Sequence, residues 1–165
     1  MGQTRCRENG QFLPTYQRRA AVDSGNTRLD EIVRRLSAVR VDGRTDEQFY
    51  AGGKHPKAAK AGRIPSAVLM DQDKAYSPEG NRLKSRDELA SIYNDLGDKT
   101  IVSYCNTGHW AATNWFVMSE ILGRKHVKLY DGSMVEWTAN TNLPLDTSGK
   151  SNMQNIKDIF SNLLG

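Results

Sequence analysis

Residues 99–115 read KTIVSYCNTGHWAATNW: an apolar, β-branched run passes into a helical pattern, and a single cysteine, Cys105, stands at the junction. A continuous apolar run of this kind is the strand that a parallel sheet buries on both faces. The helical part places Ala111, Trp115, Met118 and Leu122 on one face and has Gly123 as its stop. A thiol at such a turn lies among main-chain N–H groups, here those of Asn106 to Trp110, which can turn inward and favour an anion. The helix dipole contributes about 0.3 to 1 kcal/mol, and a pKa unit corresponds to about 1.4 kcal/mol, so the dipole alone moves a thiol only slightly. Hydrogen bonds supply more: each N–H aimed at a charged sulfur adds roughly 1.5 to 3 kcal/mol, and two bring an ordinary thiol towards neutrality. Gly108 suits the loop because a curled backbone needs positive φ or a close approach that a side chain blocks. The expectation is a reactive thiolate at Cys105; the alternative is a small buried hydrophobe at a strand end.

The rest of the chain alternates in the same way. LDEIVRRL (29–36) is spaced as a helix capped by Asn26 or Thr27, AVRVD (38–42) as a strand, and TDEQFYAGG (45–53) as a capped helical turn stopped by glycines. SAVLM (66–70) predicts another strand, and SRDELASIYNDLGD (85–98) a helix with Ser85 and Glu88 as capping box and Gly97 as stop. HVKLYDG (126–132) predicts a further strand, SMVEW (133–137) a turn, and MQNIKDIF (153–160) a last helix. Strand alternating with helix implies an α/β fold with a mostly parallel sheet, helices on both faces and ligands at the carboxyl ends of the strands. Residues 1–26 read as a loosely packed leader, 27–145 as the ordered domain and 146–165 as a linker and helix.

Composition narrows the partners. Lys and Arg exceed Asp and Glu by 23 to 19, and the resulting +4 is spread along the chain, which suits a small anion better than a nucleic acid duplex. No apolar run approaches the roughly 20 residues that span a bilayer, and the first residues lack the apolar centre of a secretory signal. Cytoplasm and bacterial periplasm both stay open. Cys6, Cys105 and the three histidines (His55, His109, His126) do not form a familiar ligand spacing, so neither a metal nor a cofactor is expected.

Four pieces in order, VDGR (41–44), AGRIPSAV (61–68), CNTGHWA (105–111) and YDGSMVEW (130–137), resemble a rhodanese-type sulfurtransferase. The lead-in FLPTY (12–16) and the last piece are similar to the catalytic second half of two-domain members, and the chain has room for one such unit. The resemblance implies a rhodanese-like α/β fold with a central sheet of about five strands. It also implies double displacement: the loop cysteine takes a sulfane sulfur from an anionic donor such as thiosulfate, becomes a persulfide, and passes the sulfur to cyanide, a thiol or a protein acceptor. Carried over by position, Cys105 is the persulfide-forming residue, and Asn106, Thr107, Gly108, His109 and Trp110 form the loop whose amides hold the transferred sulfur. His109 either serves a leaving sulfite or caps the helix, and Trp110 either walls the pocket or packs in the core. The loop departs from the basic loop of thiosulfate-specific members and from the Gly-Ser-Gly-Val loop of mercaptopyruvate-specific ones.

Charge for an anionic donor is expected from the broken segment 52–65, with Arg63 first and Lys54 and Lys57 after it. Asp42 and Arg44 are expected to brace strand ends. Related phosphatases carry an arginine six positions after the cysteine, where this chain has Ala111, which argues against phosphoryl chemistry. A non-catalytic binding module and a protein-to-protein sulfur relay are the remaining alternatives.

Overall fold

The computed structural model describes residues 38–79 and 81–150; the expected leader, the 29–36 helix, Cys6 and the last helix lie outside them. Strands β1 (Val39–Asp42), β2 (Ala67–Leu69), β3 (Ile101–Tyr104) and β4 (Val127–Leu129) form one sheet in the order β2-β1-β3-β4. All three pairings are parallel. The described residues therefore hold four strands rather than about five. Helices α1 (Asp46–Phe49), α2 (Arg86–Ile92) and α3 (His109–Phe116) lie in the connections, and α4 (Ser133–Ala139) follows β4.

Strand β3 divides its side chains between two apolar clusters, as a period of two requires, while β1 adds Val39 and Val41 to one of them. Val41 and Ile101 face a cluster with Leu89 and Tyr93 from the α2 region and Val117 and Met118. Val102 and Tyr104 face the opposite cluster, with Met134 and Trp137 of α4 and Tyr130 before it. Helical elements thus cover both faces of the sheet. Ser85 and Glu88 form the expected capping box on α2. The segment 133–137, expected as a turn, is the greater part of α4. The helix after Cys105 also departs from the expectation: at Val117–Ile121 it widens into a π-turn, with Leu122 N–H donating to Val117 O at 2.9 Å. The buried stripe is accordingly Ala111, Asn114, Val117 and Met118 rather than one that includes Trp115 and Leu122.

Asp42 and Arg44 brace the carboxyl end of β1. Arg44 Nε donates to Asp42 Oδ1 at 2.9 Å and Nη2 to Asp42 Oδ2 at 2.7 Å, with both side chains buried. A further bond from Nη2 reaches Gly62 O at 2.8 Å. Burial opposes the Arg44 charge, but the hydrogen bonds and charge of Asp42 outweigh it and raise the guanidinium pKa above its ordinary value. Asp42→Ala leaves that charge buried without its counterion and is expected to lower stability by about 3–5 kcal/mol in urea denaturation. The double variant Asp42→Leu/Arg44→Met should lose distinctly less, and equal losses would contradict a buried pair.

Candidate functional site

Chain order places the site before any side chain is considered. From β1 the chain crosses to β2 on one side, and from β3 to β4 on the other, so the loops leaving β1 and β3 diverge across a switch point. Asp42 stands level with Tyr104, and Gly43 N–H donates to Tyr104 O at 2.8 Å. Cys105 is the next residue. It is a free thiol, about 1% exposed, and it belongs to neither apolar cluster among the described residues.

The backbone around Cys105 is held from three sides. Ser133, fully buried and with φ of 49°, accepts from Cys105 N–H at 3.0 Å through its Oγ and donates to Tyr130 O at 2.8 Å. The α4 start reaches back as well: Met134 N–H donates to Cys105 O and Val135 N–H to Asn106 O, each at 3.1 Å. From the β1 side, Gln48 Oε1 accepts from Asn106 Nδ2 at 2.8 Å. Gly108 has φ of 86°, and a Cβ there would sit 3.0 Å from both Asp131 Cα and Asp131 O. The glycine lets the turn lie against the β4–α4 connection.

These constraints leave a run of donors open. Among the described residues, nothing accepts from the main-chain N–H groups of Asn106, Thr107, Gly108, His109 or Trp110. The last two open α3, whose first amides have no intrahelical acceptor. Thr107 Oγ1 and His109 Nδ1 are 3.1 Å apart, which fixes one side chain against the other at the rim. Trp110 is about 37% exposed and so is not a core residue.

The expected cations lie otherwise. Arg63 Nη1 donates to Phe49 O at 3.0 Å and Ser148 O at 2.9 Å, and Nη2 to Ser148 Oγ at 2.6 Å. Arg63 Nη2 also pairs with Asp146 Oδ2 at 2.7 Å. Lys54 Nζ donates to Ala58 O at 2.7 Å, and Lys57 is exposed. Within these contacts, none of the three touches residues 105–110. Gln48 and Ser133 had no assigned role in the sequence reading. Ser133 lay inside the YDGSMVEW piece, whereas Gln48 carried no local signal at all.

Comparison with known proteins follows the same line. Residues 26–140 match the family described as Rhodanese-like domain. The chain belongs to the rhodanese family. It is 36% identical over 124 residues to a thiosulfate sulfurtransferase of Corynebacterium glutamicum, covering 70% of this chain and 40% of that protein. It is 42% identical over 91 residues to the sulfur carrier protein TtuD of Thermus thermophilus, covering 53% of this chain and 32% of the relative. The rhodanese chain thus spans less than half the length of these curated relatives. The crystal structure of an anaerobic ergothioneine biosynthesis enzyme from Chlorobium limicola shares the fold, with a TM-score of 0.63 and 22% identity. That match covers 74% of this chain and 31% of the other. Those relatives are named as a sulfurtransferase and a sulfur carrier protein, and this chain shares their domain family.

Two glycines offer a test of the loop packing. Gly123 has φ of 73° with nothing within 4 Å of an added Cβ, while Gly108 meets Asp131 backbone. Gly123→Ala is expected to cost about 1 kcal/mol from backbone strain alone. Gly108→Ala should cost at least twice as much in urea denaturation; equal costs would mean that Asp131 does not confine the loop.

Proposed function

We propose that Cys105 accepts a sulfane sulfur from thiosulfate or a related donor and delivers it to a thiophilic acceptor, cyanide or a thiol. The observation that carries this reading is the run of unpaired amides beside a buried thiol that lies outside both apolar clusters. In the first half-reaction the Cys105 thiolate attacks the outer sulfur of thiosulfate. The S–S bond of the donor breaks, sulfite leaves with the electron pair, and Cys105 holds the sulfur as a persulfide. In the second, cyanide attacks that outer sulfur, thiocyanate leaves, and the thiolate returns. The negative charge sits on one sulfur or the other throughout, and on this reading the unpaired amides of residues 106–110 stabilise it.

Ala111 weighs against a phosphatase. It is fully buried at the position where phosphate recognition needs an arginine, so the loop side chains offer no bidentate cation. A second reading, delivery of sulfur to a protein acceptor, draws support from the identity to TtuD and from the exposed His109 and Trp110 at the rim.

Intact-mass measurement after thiosulfate treatment should find one added sulfur that cyanide removes and that Cys105→Ala never acquires. Identical behaviour of wild type and variant would leave a binding module as the better account. An aryl phosphate should turn over no faster than in buffer, and Cys105-dependent hydrolysis would reverse the assignment.

A further inference from the structure

The segment after α4 is laid across the loop that precedes β2 and across α1. Arg63 and Asp146 exchange both main-chain hydrogen bonds, at 2.8 and 2.9 Å, in an isolated antiparallel bridge. Gly62, with φ of 127°, makes that approach possible: a Cβ there would lie 2.7 Å from Asp146 O. Leu145 packs against the cluster under α4, and Lys150 pairs with Asp46 and lies 5.6 Å from the Tyr50 ring centre. Asp146 is held below the usual carboxylate range by hydrogen bonds from Ser148, with the Arg63 charge adding to the effect. Of these residues, the strap's Leu145, Asp146, Ser148 and Lys150 fall beyond the 26–140 stretch that matches the family.

Arg63 is the pin of this strap. Three of its terminal N–H bonds go to Phe49 O, Ser148 O and Ser148 Oγ, and Nη2 lies 2.7 Å from Asp146 Oδ2 in an ion pair. The guanidinium also lies 4.6 Å from the Phe49 ring centre and 5.4 Å from that of Tyr50. Its charge is met by Asp146, so a dianionic donor gains little from it. What Arg63 does hold is the carboxyl end of α1. A helix of four residues has too few internal hydrogen bonds to fix its own direction, so its placement comes from what grips it. One residue before Phe49 stands Gln48, which accepts from the side chain of Asn106, the residue that follows the nucleophile.

We infer that Arg63 is a positioning residue: with the strap 145–150 it fixes α1 so that Gln48 holds Asn106, and with it the amide run after Cys105, in place. The role rests on the sulfurtransferase reading for its kinetic consequence, but the link from strap to Asn106 is a matter of structure alone. Loosening the pin displaces the amides that receive the transferred sulfur, which slows the sulfur-transfer step and leaves donor binding nearly as it was.

The test uses steady-state kinetics with thiosulfate and cyanide on the whole chain, together with the Asn106 side-chain NH2 signal in nitrogen-15 NMR. Arg63→Ala and Gln48→Ala should each lower kcat about tenfold with KM within about twofold of wild type. The double variant should fall no more than about twofold below either single one, because both changes act along one path. Asp146→Asn and Ser148→Ala loosen the strap while keeping Arg63, and should lower kcat in the same direction should Arg63→Ala fail to fold. In every strap variant the Asn106 NH2 signal should shift. A raised KM with unchanged kcat in Arg63→Ala would make Arg63 a donor-binding cation and overturn the inference, as would multiplicative losses in the double variant. An Asn106 signal that ignores Asp146→Asn would overturn it as well. A wild type that takes no sulfur from thiosulfate would defeat the proposed donor, while the NMR comparison still decides whether the strap reaches Asn106.

Discussion

The parallel pairing of β1 with β3, from Val39 beside Ile101 to Asp42 beside Tyr104, decides where the thiol can be. It makes the two central strands end level, so that Gly43 and Cys105 begin their loops from the same edge of the sheet. Because the chain leaves β1 towards one side and β3 towards the other, the loops part and a recess opens between them. A one-residue slip would exchange the faces of β3, sending Val102 and Tyr104 to the α2 side and Ser103 away from Ala111 O, to which its Oγ donates at 2.9 Å. The buried Asp42–Arg44 pair stands at this edge and ties β1 to Gly62 of the next loop. The same edge therefore carries both the brace of the fold and the candidate nucleophile.

A parallel sheet alone does not leave a run of amides open; the loop has to be kept from closing on itself. Left free, amides 106–110 would find acceptors in an ordinary turn or in water. Here the carbonyls of Cys105 and Asn106 are taken by α4 amides, the Cys105 N–H by Ser133, and the turn at Gly108 is confined by Asp131. The left-handed backbone of Ser133 is the kind of strained position that persists when its surroundings over-determine it. Its hydroxyl explains why the strain is tolerated, since it bridges Cys105 and Tyr130 in one buried network.

Local signals carried much of this architecture. The β-branched run of β3, the Ser85–Glu88 box and Gly108 each announce themselves within a few residues, because strand burial, capping and positive φ are short-range requirements. The four strands that the described residues contain are those that the alternating pattern placed. What could not be read was long-range pairing. Arg63 looked like a donor-binding cation because it sits in a basic, broken segment, yet its partner Ser148 is 85 residues away. Gln48 and Asn106 are 58 residues apart, and nothing near Gln48 distinguishes it from any polar residue on an exposed turn. The π-turn after α3 was hidden for another reason: a single extra residue in a helical turn changes which side chains are buried without changing composition.

The fate of the cations bears on how such a site would handle charge. A thiolate facing an anion about 4 Å away meets roughly 4 kcal/mol of repulsion per pair of unit charges at an effective dielectric near 20. A neighbouring free cation would offset that directly, but Arg44 is paired with Asp42, Arg63 with Asp146, and Lys54 is bound to Ala58 O. The loop side chains Asn106 and Thr107 are neutral. Under the proposed function the main-chain amides offset this repulsion as the sulfur is transferred, at roughly 1.5 to 3 kcal/mol for each bond to a charged sulfur, and two or three of them are enough. Fixed dipoles of this kind act on whichever sulfur carries the charge as the bond shifts, whereas an ion pair favours one location. An arrangement built from amides rather than side-chain cations therefore suits a sulfur that must be taken up and released at the same place.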